Sequence, residues 1–87
     1  MARIHFFEKE KIAVYIYGEL NGKHHGKHVM LLVQGHEYQY GFNGKPMKGC
    51  PALRDDKTVV QWILSHTADL EERWQEANEG KHPRWID

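Results

Sequence analysis

From Asp55 to Glu79 the chain contains neither proline nor glycine, and Gly80 and Pro83 follow at once. A stretch free of both helix breakers and closed by both reads as a helix with its stop. Within it Val60, Ile63, Thr67, Leu70, Trp74 and Ala77 recur at alternating spacings of three and four, which lines them along one helical stripe. Val59, Trp62 and His66 make an adjoining stripe that widens the face available for burial. The pattern predicts one long amphipathic helix over 55–79, about 35 Å in length at the usual rise per residue. Asp55-Asp56 supplies an N-cap and negative charge at its start, and Ser65-His66-Thr67, its weakest helical segment, is where a kink would fall.

The chain before this helix has a different period. Arg3 to Glu8 and Ile12 to Tyr17 are rich in β-formers, and the charged run Glu8-Lys9-Glu10-Lys11 between them reads as the turn of a hairpin. Every residue of Ile12 to Tyr17 is apolar or aromatic, as in a central strand buried on both faces. Val29 to Val33 is a third strand, ended by Gln34-Gly35. In the fourth, Tyr38, Tyr40 and Phe42 alternate with Gln39 and Gly41 before the Asn43-Gly44 turn. A short edge strand is placed at Met47. The predicted architecture is α+β: an N-terminal antiparallel sheet of about four strands over 3–48, then one long C-terminal amphipathic helix packed on the sheet, then a tail over 80–87, all in one domain over 1–87. Ile12, Val14, Ile16, Leu31, Val33, Ile63, Leu70 and Trp74 are the expected core.

Cys50 is the only cysteine, which excludes an internal disulfide and a Cys-based zinc cage and fits a reducing compartment. No apolar run has the length of a membrane span, and Met1-Ala2-Arg3 leads straight into a strand, so a cytoplasmic protein without a signal peptide is expected. The formal charge is zero but unevenly placed: residues 1–54 hold eight Lys/Arg and four Asp/Glu, whereas residues 55–87 hold four and eight. A basic half and an acidic half either neutralise one another within the fold or suit self-association or an oppositely charged partner.

Trp62, His66, Leu70, Glu72, Trp74, Ala77 and Gly80 fall on the pattern Trp-x-x-x-His-x-x-x-Leu-x-Glu-x-Trp-x-x-Ala-x-x-Gly. In these residues, in Pro51 and Leu53 ahead of the helix, and in Phe6-Phe7 and Tyr15-Ile16-Tyr17, the chain resembles the small bacterial proteins grouped as domain of unknown function 4160. The resemblance spans nearly the whole chain. Where that family has His-Asn-Pro-Pro-His-x-His-Val before its third strand, this chain keeps only His28. Gly22 and Gly26 replace the other histidines, and His24-His25 the prolines. The resemblance implies the fold. Because members often stand beside another small protein in toxin–antitoxin-like arrangements, it also implies a small protein partner.

Seven histidines invite a search for chemistry. His24, His25 and His28 lie within five positions on a glycine-flanked loop and are candidate metal ligands, with His5 or His36 joining from neighbouring strands. No carboxylate flanks them, so a solvated His-rich loop is the alternative and no metal or other cofactor is assigned. Lys23 and Lys27 interleave with them and are candidate contacts to a partner or to nucleic acid. His28 and His66 are the candidate catalytic pair, since two imidazoles suffice as general base and acid for RNA cleavage. Trp85 and Arg84 in the tail are residue types that dominate interface hot spots, although Trp85 and Ile86 also suit a tail folded back over the sheet edge. The function expected is a small regulatory or interaction protein acting by protein–protein binding, and the resemblance implies that it belongs to a toxin–antitoxin-like pair. A His-dependent ribonuclease or metal-binding enzyme using His28 and His66 is the alternative. Another small protein is the expected partner, no membrane is involved, and the chain is a monomer or homodimer.

Overall fold

A computed structural model describes residues 2–16 and 27–86. Four strands, β1 (Ala2–Phe7), β2 (Ile12–Ile16), β3 (His28–Val33) and β4 (His36–Gly41), form one antiparallel sheet in sequential order. Two helices follow, α1 (Lys57–Ser65) and α2 (Thr67–Asn78). Chain order and sheet order coincide, and the β1–β2 and β3–β4 links are both short. Lys11 takes a left-handed backbone (φ 58°) before β2, and Gln34 and Gly35 (φ 50° and 81°) make the two-residue connection of β3 to β4.

β2 lies inside the sheet, as its unbroken apolar run requires. Ile12, Val14 and Ile16 are buried on one face with Leu31 and Val29 of β3, while Ala13 is buried and Tyr15 half-buried on the other. In β1 the register slips between Arg3 and His5, so Ile4 is an extra residue and is wholly buried. Val59, Trp62, Ile63 and Leu70 of the helices share one buried cluster with Ile4, Phe7, Val14, Leu31 and Tyr40 of the sheet.

The helix expected over 55–79 is two helices, broken at His66. The cause is competition for carbonyls. The Trp62 oxygen accepts from the His66 amide at 3.0 Å, the His66 Nδ1 at 2.9 Å and the Ser65 hydroxyl at 3.1 Å. Thr67 Oγ1 meanwhile donates to Ile63 and Leu64 oxygens at 3.2 and 3.1 Å. Three successive polar side chains turned back on the last turn bend a helix. α2 restarts with the Leu70 amide on the His66 oxygen at 2.9 Å. The break also shifts the buried stripe: Val59, Trp62 and Ile63 are buried in α1 and Leu70 and Arg73 in α2, leaving Val60, Trp74 and Ala77 half-buried at its edge.

Both outer strands are engaged along their free edges. Beside β4, Met47 donates its amide to the Gln39 oxygen at 2.9 Å and Pro46 bridges Tyr40. Beside β1, the Ile86 amide donates to the Ile4 oxygen at 2.7 Å. Such partners blunt an edge that otherwise templates another strand. Among the described residues, no helix is long and apolar enough to cross a membrane.

Candidate functional site

The C-terminal tail is built into the fold, and one buried cation builds it in. Arg73, 7% exposed, donates from Nε to the main-chain oxygen of Arg84 at 2.9 Å and from a terminal nitrogen towards the Trp85 oxygen at 3.5 Å. Glu72 accepts from the same guanidinium at 3.1 Å. A guanidinium carries five donors in a planar fork, so it can hold two carbonyls and a carboxylate at once. Glu76 adds a second fastening, accepting from the Arg84 amide at 3.2 Å and its Nε at 2.9 Å. This hydrogen-bonded contact holds the Glu76 carboxyl below its usual range and raises the Arg84 guanidinium. Beyond them Ile86 is buried, its amide on Ile4 and its oxygen accepting from His5 Nδ1 at 2.7 Å.

Between these anchors Trp85 stays 47% exposed. Its ring lies 5.9 Å from the guanidinium carbon of Arg3, which is itself 5.6 Å from the Phe6 ring. Phe7 meets Trp62 edge-on in the core, so alternation along β1 turns Phe6 to the opposite face, and Arg3 lies with it. Cation and rings at these separations attract, more strongly where water is thinned. Among the described residues no carboxylate pairs with Arg3, whereas Arg73 and Arg84 are both taken by Glu72 and Glu76.

The aromatic group continues inward. The His5 ring is 6.0 Å from Trp85 and stacks on Trp62 at 4.5 Å with 22° between planes; His66 also stacks on Trp62, at 4.8 Å and 27°. Phe7 closes the group edge-on, 4.7 Å from His5 and 5.6 Å from Trp62. A carbonyl only accepts, so the Nδ1 of His5, facing the Ile86 oxygen, carries a proton, and so does that of His66 facing the Trp62 oxygen. In each neutral ring the lone pair therefore sits on Nε2. The Trp62 indole N–H is buried and has no hydrogen-bond partner among the described residues.

The two histidines expected to act together have different surroundings. His28 is buried at the start of β3 with the Trp74 ring 5.4 Å away, and Trp74 meets Phe42 edge-on at 6.1 Å. His66 belongs to the Trp62 stack, and among the described residues no ring contact joins the two. Lys27 pairs with Glu71, and beside them Glu72, Trp74, Gln75 and Asn78 line an open recess of about 400 Å³. Lys23, His24 and His25 lie outside the described residues. Among the described residues, no group of three or more His, Cys, Asp or Glu side chains is placed to hold a metal ion.

Arg73, Arg3 and His5 were not singled out by the sequence reading for these roles. A stripe drawn through apolar residues passes over Arg73, although it follows Leu70 by three and so shares its buried side. Comparison with protein-family models, with curated proteins and with solved structures finds no match to this chain.

Proposed function

We propose that this chain is a small protein–protein interaction module, with Trp85 as the anchor a partner grips. One observation carries the reading: Trp85 keeps half its surface in solvent while the main chain on either side of it is fastened to Arg73 and to β1. A loose tail loses conformational freedom when a partner orders it, and an anchor already held in place loses little. Trp with adjacent Arg is the composition of interface hot spots. The resemblance to a family in toxin–antitoxin-like arrangements makes another small protein the partner, met in a reducing cytoplasm with Cys50 free. The two helices serve this role by packing against the sheet and holding the tail's landing site.

The test joins two measurements. The tagged chain and its Trp85→Ala variant are used to isolate a partner, and the complex is then rebuilt from purified components. A discrete complex formed by the parent chain and weakened at least tenfold by the variant supports the module. The contrary result is RNA cleavage abolished by His28→Ala and by His66→Ala with no partner recovered, which makes the chain a His-dependent ribonuclease.

A further inference from the structure

We infer that Arg3, lodged between Phe6 and Trp85, is a carboxylate-recognition site whose occupant is an acidic segment of a partner protein, with an apolar side chain of that segment resting on Trp85. The inference rests on the interaction reading and names what the anchor recognises.

Three observations lead there. First, the guanidinium carbon of Arg3 lies over two rings, at 5.6 and 5.9 Å, and the residue is exposed. Rings hold a guanidinium by its face and leave the in-plane N–H fork directed elsewhere, which is the geometry a carboxylate meets with two parallel bonds. Second, the nearby tail arginines are satisfied internally: Arg84 lies 2.8 Å from Glu76 and 3.6 Å from Glu72, and Arg73 3.1 Å from Glu72. Among the described residues Arg3 is thus the cation at this patch that no carboxylate pairs with. Third, the large apolar surface beside it, Trp85, stands on main chain held by Arg73 and Ile4, with its ring 5.9 Å from the Arg3 guanidinium carbon, so one acidic and one apolar contact are offered side by side.

A protein carboxylate is favoured over a nucleic-acid phosphate by charge. Binding to a phosphate backbone draws on several cations along a track, and this chain has formal charge zero with Arg73 and Arg84 already paired to carboxylates. One guanidinium framed by aromatic rings suits a single acid in a short protein segment.

The experiment is a selection from a displayed library of random twelve-residue peptides on the full chain, repeated on Arg3→Gln and Trp85→Ala. Arg3 and Trp85 are exposed, and thermal melts are run to check that both variants fold. The expected ligands carry Asp or Glu beside Leu, Ile or Phe. The tightest of them should bind Arg3→Gln about tenfold to a hundredfold more weakly, the range of a charge-assisted hydrogen-bonded pair. Arg3→Lys should recover only part of this, because an ammonium lacks the fork. Arg54→Gln, removing the same charge elsewhere, should leave binding unchanged. Selected peptides that lack acids, or that need Trp85 but not Arg3, overturn this inference and leave the module intact. Selection yielding nothing, or only peptides indifferent to Trp85, overturns both. A single-stranded RNA oligonucleotide that binds the chain through Arg3 more tightly than any peptide overturns it in favour of a nucleic-acid surface.

Discussion

Asp56, the residue preceding α1, does not cap that helix: its carboxylate accepts from the Tyr40 phenol at 2.6 Å. The same phenol oxygen accepts the Leu53 amide at 2.7 Å. One buried tyrosine of β4 therefore ties down the connection that leads from the sheet to the helices. The expected N-cap at Asp55-Asp56 is replaced by a long-range contact, and Asp55 sits in the left-handed region at φ 55° to bring its neighbour round.

Tyr40 makes alkaline stability a measure of this tie. Burial, then the hydrogen bond to Asp56, pushes its phenol up from 10.0 to about 12. A group whose folded value is raised stabilises fully below its unfolded value and loses that contribution as pH rises through the folded one. Unfolding free energy should accordingly fall between pH 10 and about 12, by roughly 2–3 kcal/mol. Tyr40→Phe should abolish this slope in urea titrations. It should also cost about 1–3 kcal/mol at neutral pH, because the Leu53 amide loses its acceptor.

Arg73 holds the tail, and removing it should release the tail before the core. Arg73→Met keeps the aliphatic packing but leaves the Arg84 and Trp85 oxygens without their donor. A loss of about 1.5–3 kcal/mol is expected. Hydrogen exchange at the Ile86 amide should accelerate far more than exchange at Leu31. Equal acceleration at both would show that the tail and core open together.

Acid should loosen the same tail. The hydrogen bond from Arg84 lowers the Glu76 carboxyl from 4.5. A lowered folded value contributes above the unfolded one and is lost as pH falls through the folded one, so the contact is intact at neutral pH and fades below about 4.5. The Trp85 indole resonance should shift over that window, and Glu76→Gln should remove the shift.

The two helix tryptophans should differ in cost. Trp62 is 9% exposed within the His5–His66 stack, and Trp62→Ala is expected to lose about 3–5 kcal/mol. Trp74 is only half-buried, and its truncation should cost less. Trp62→Phe discards the unpartnered N–H along with some ring area, so its cost should stay within about 1.5 kcal/mol. Chemical denaturation of the three variants orders them.

The β3–β4 connection offers a gain. Gln34 is held at φ 50° next to Gly35, where asparagine is far more at ease. Gln34→Asn should stabilise the chain by up to about 1 kcal/mol, with an unchanged denaturant slope.

Strands, helical residues and turns were legible in the order of residues because their causes are local: alternation, three-four spacing, and glycines and prolines at the breaks. Even the interruption at His66 lay at the weakest segment of the predicted helix, since Ser65, His66 and Thr67 reach carbonyls only three or four residues back. Tertiary structure alone decided that Asp56 serves Tyr40 across 16 positions, that Arg73 is buried to hold Arg84 and Trp85, and that His5 finds its acceptor 81 residues away at Ile86. A charged or polar side chain in a sequence declares which bonds it can make but not with whom. The choice falls to whichever unsatisfied partner folding brings within about 3 Å as water is withdrawn.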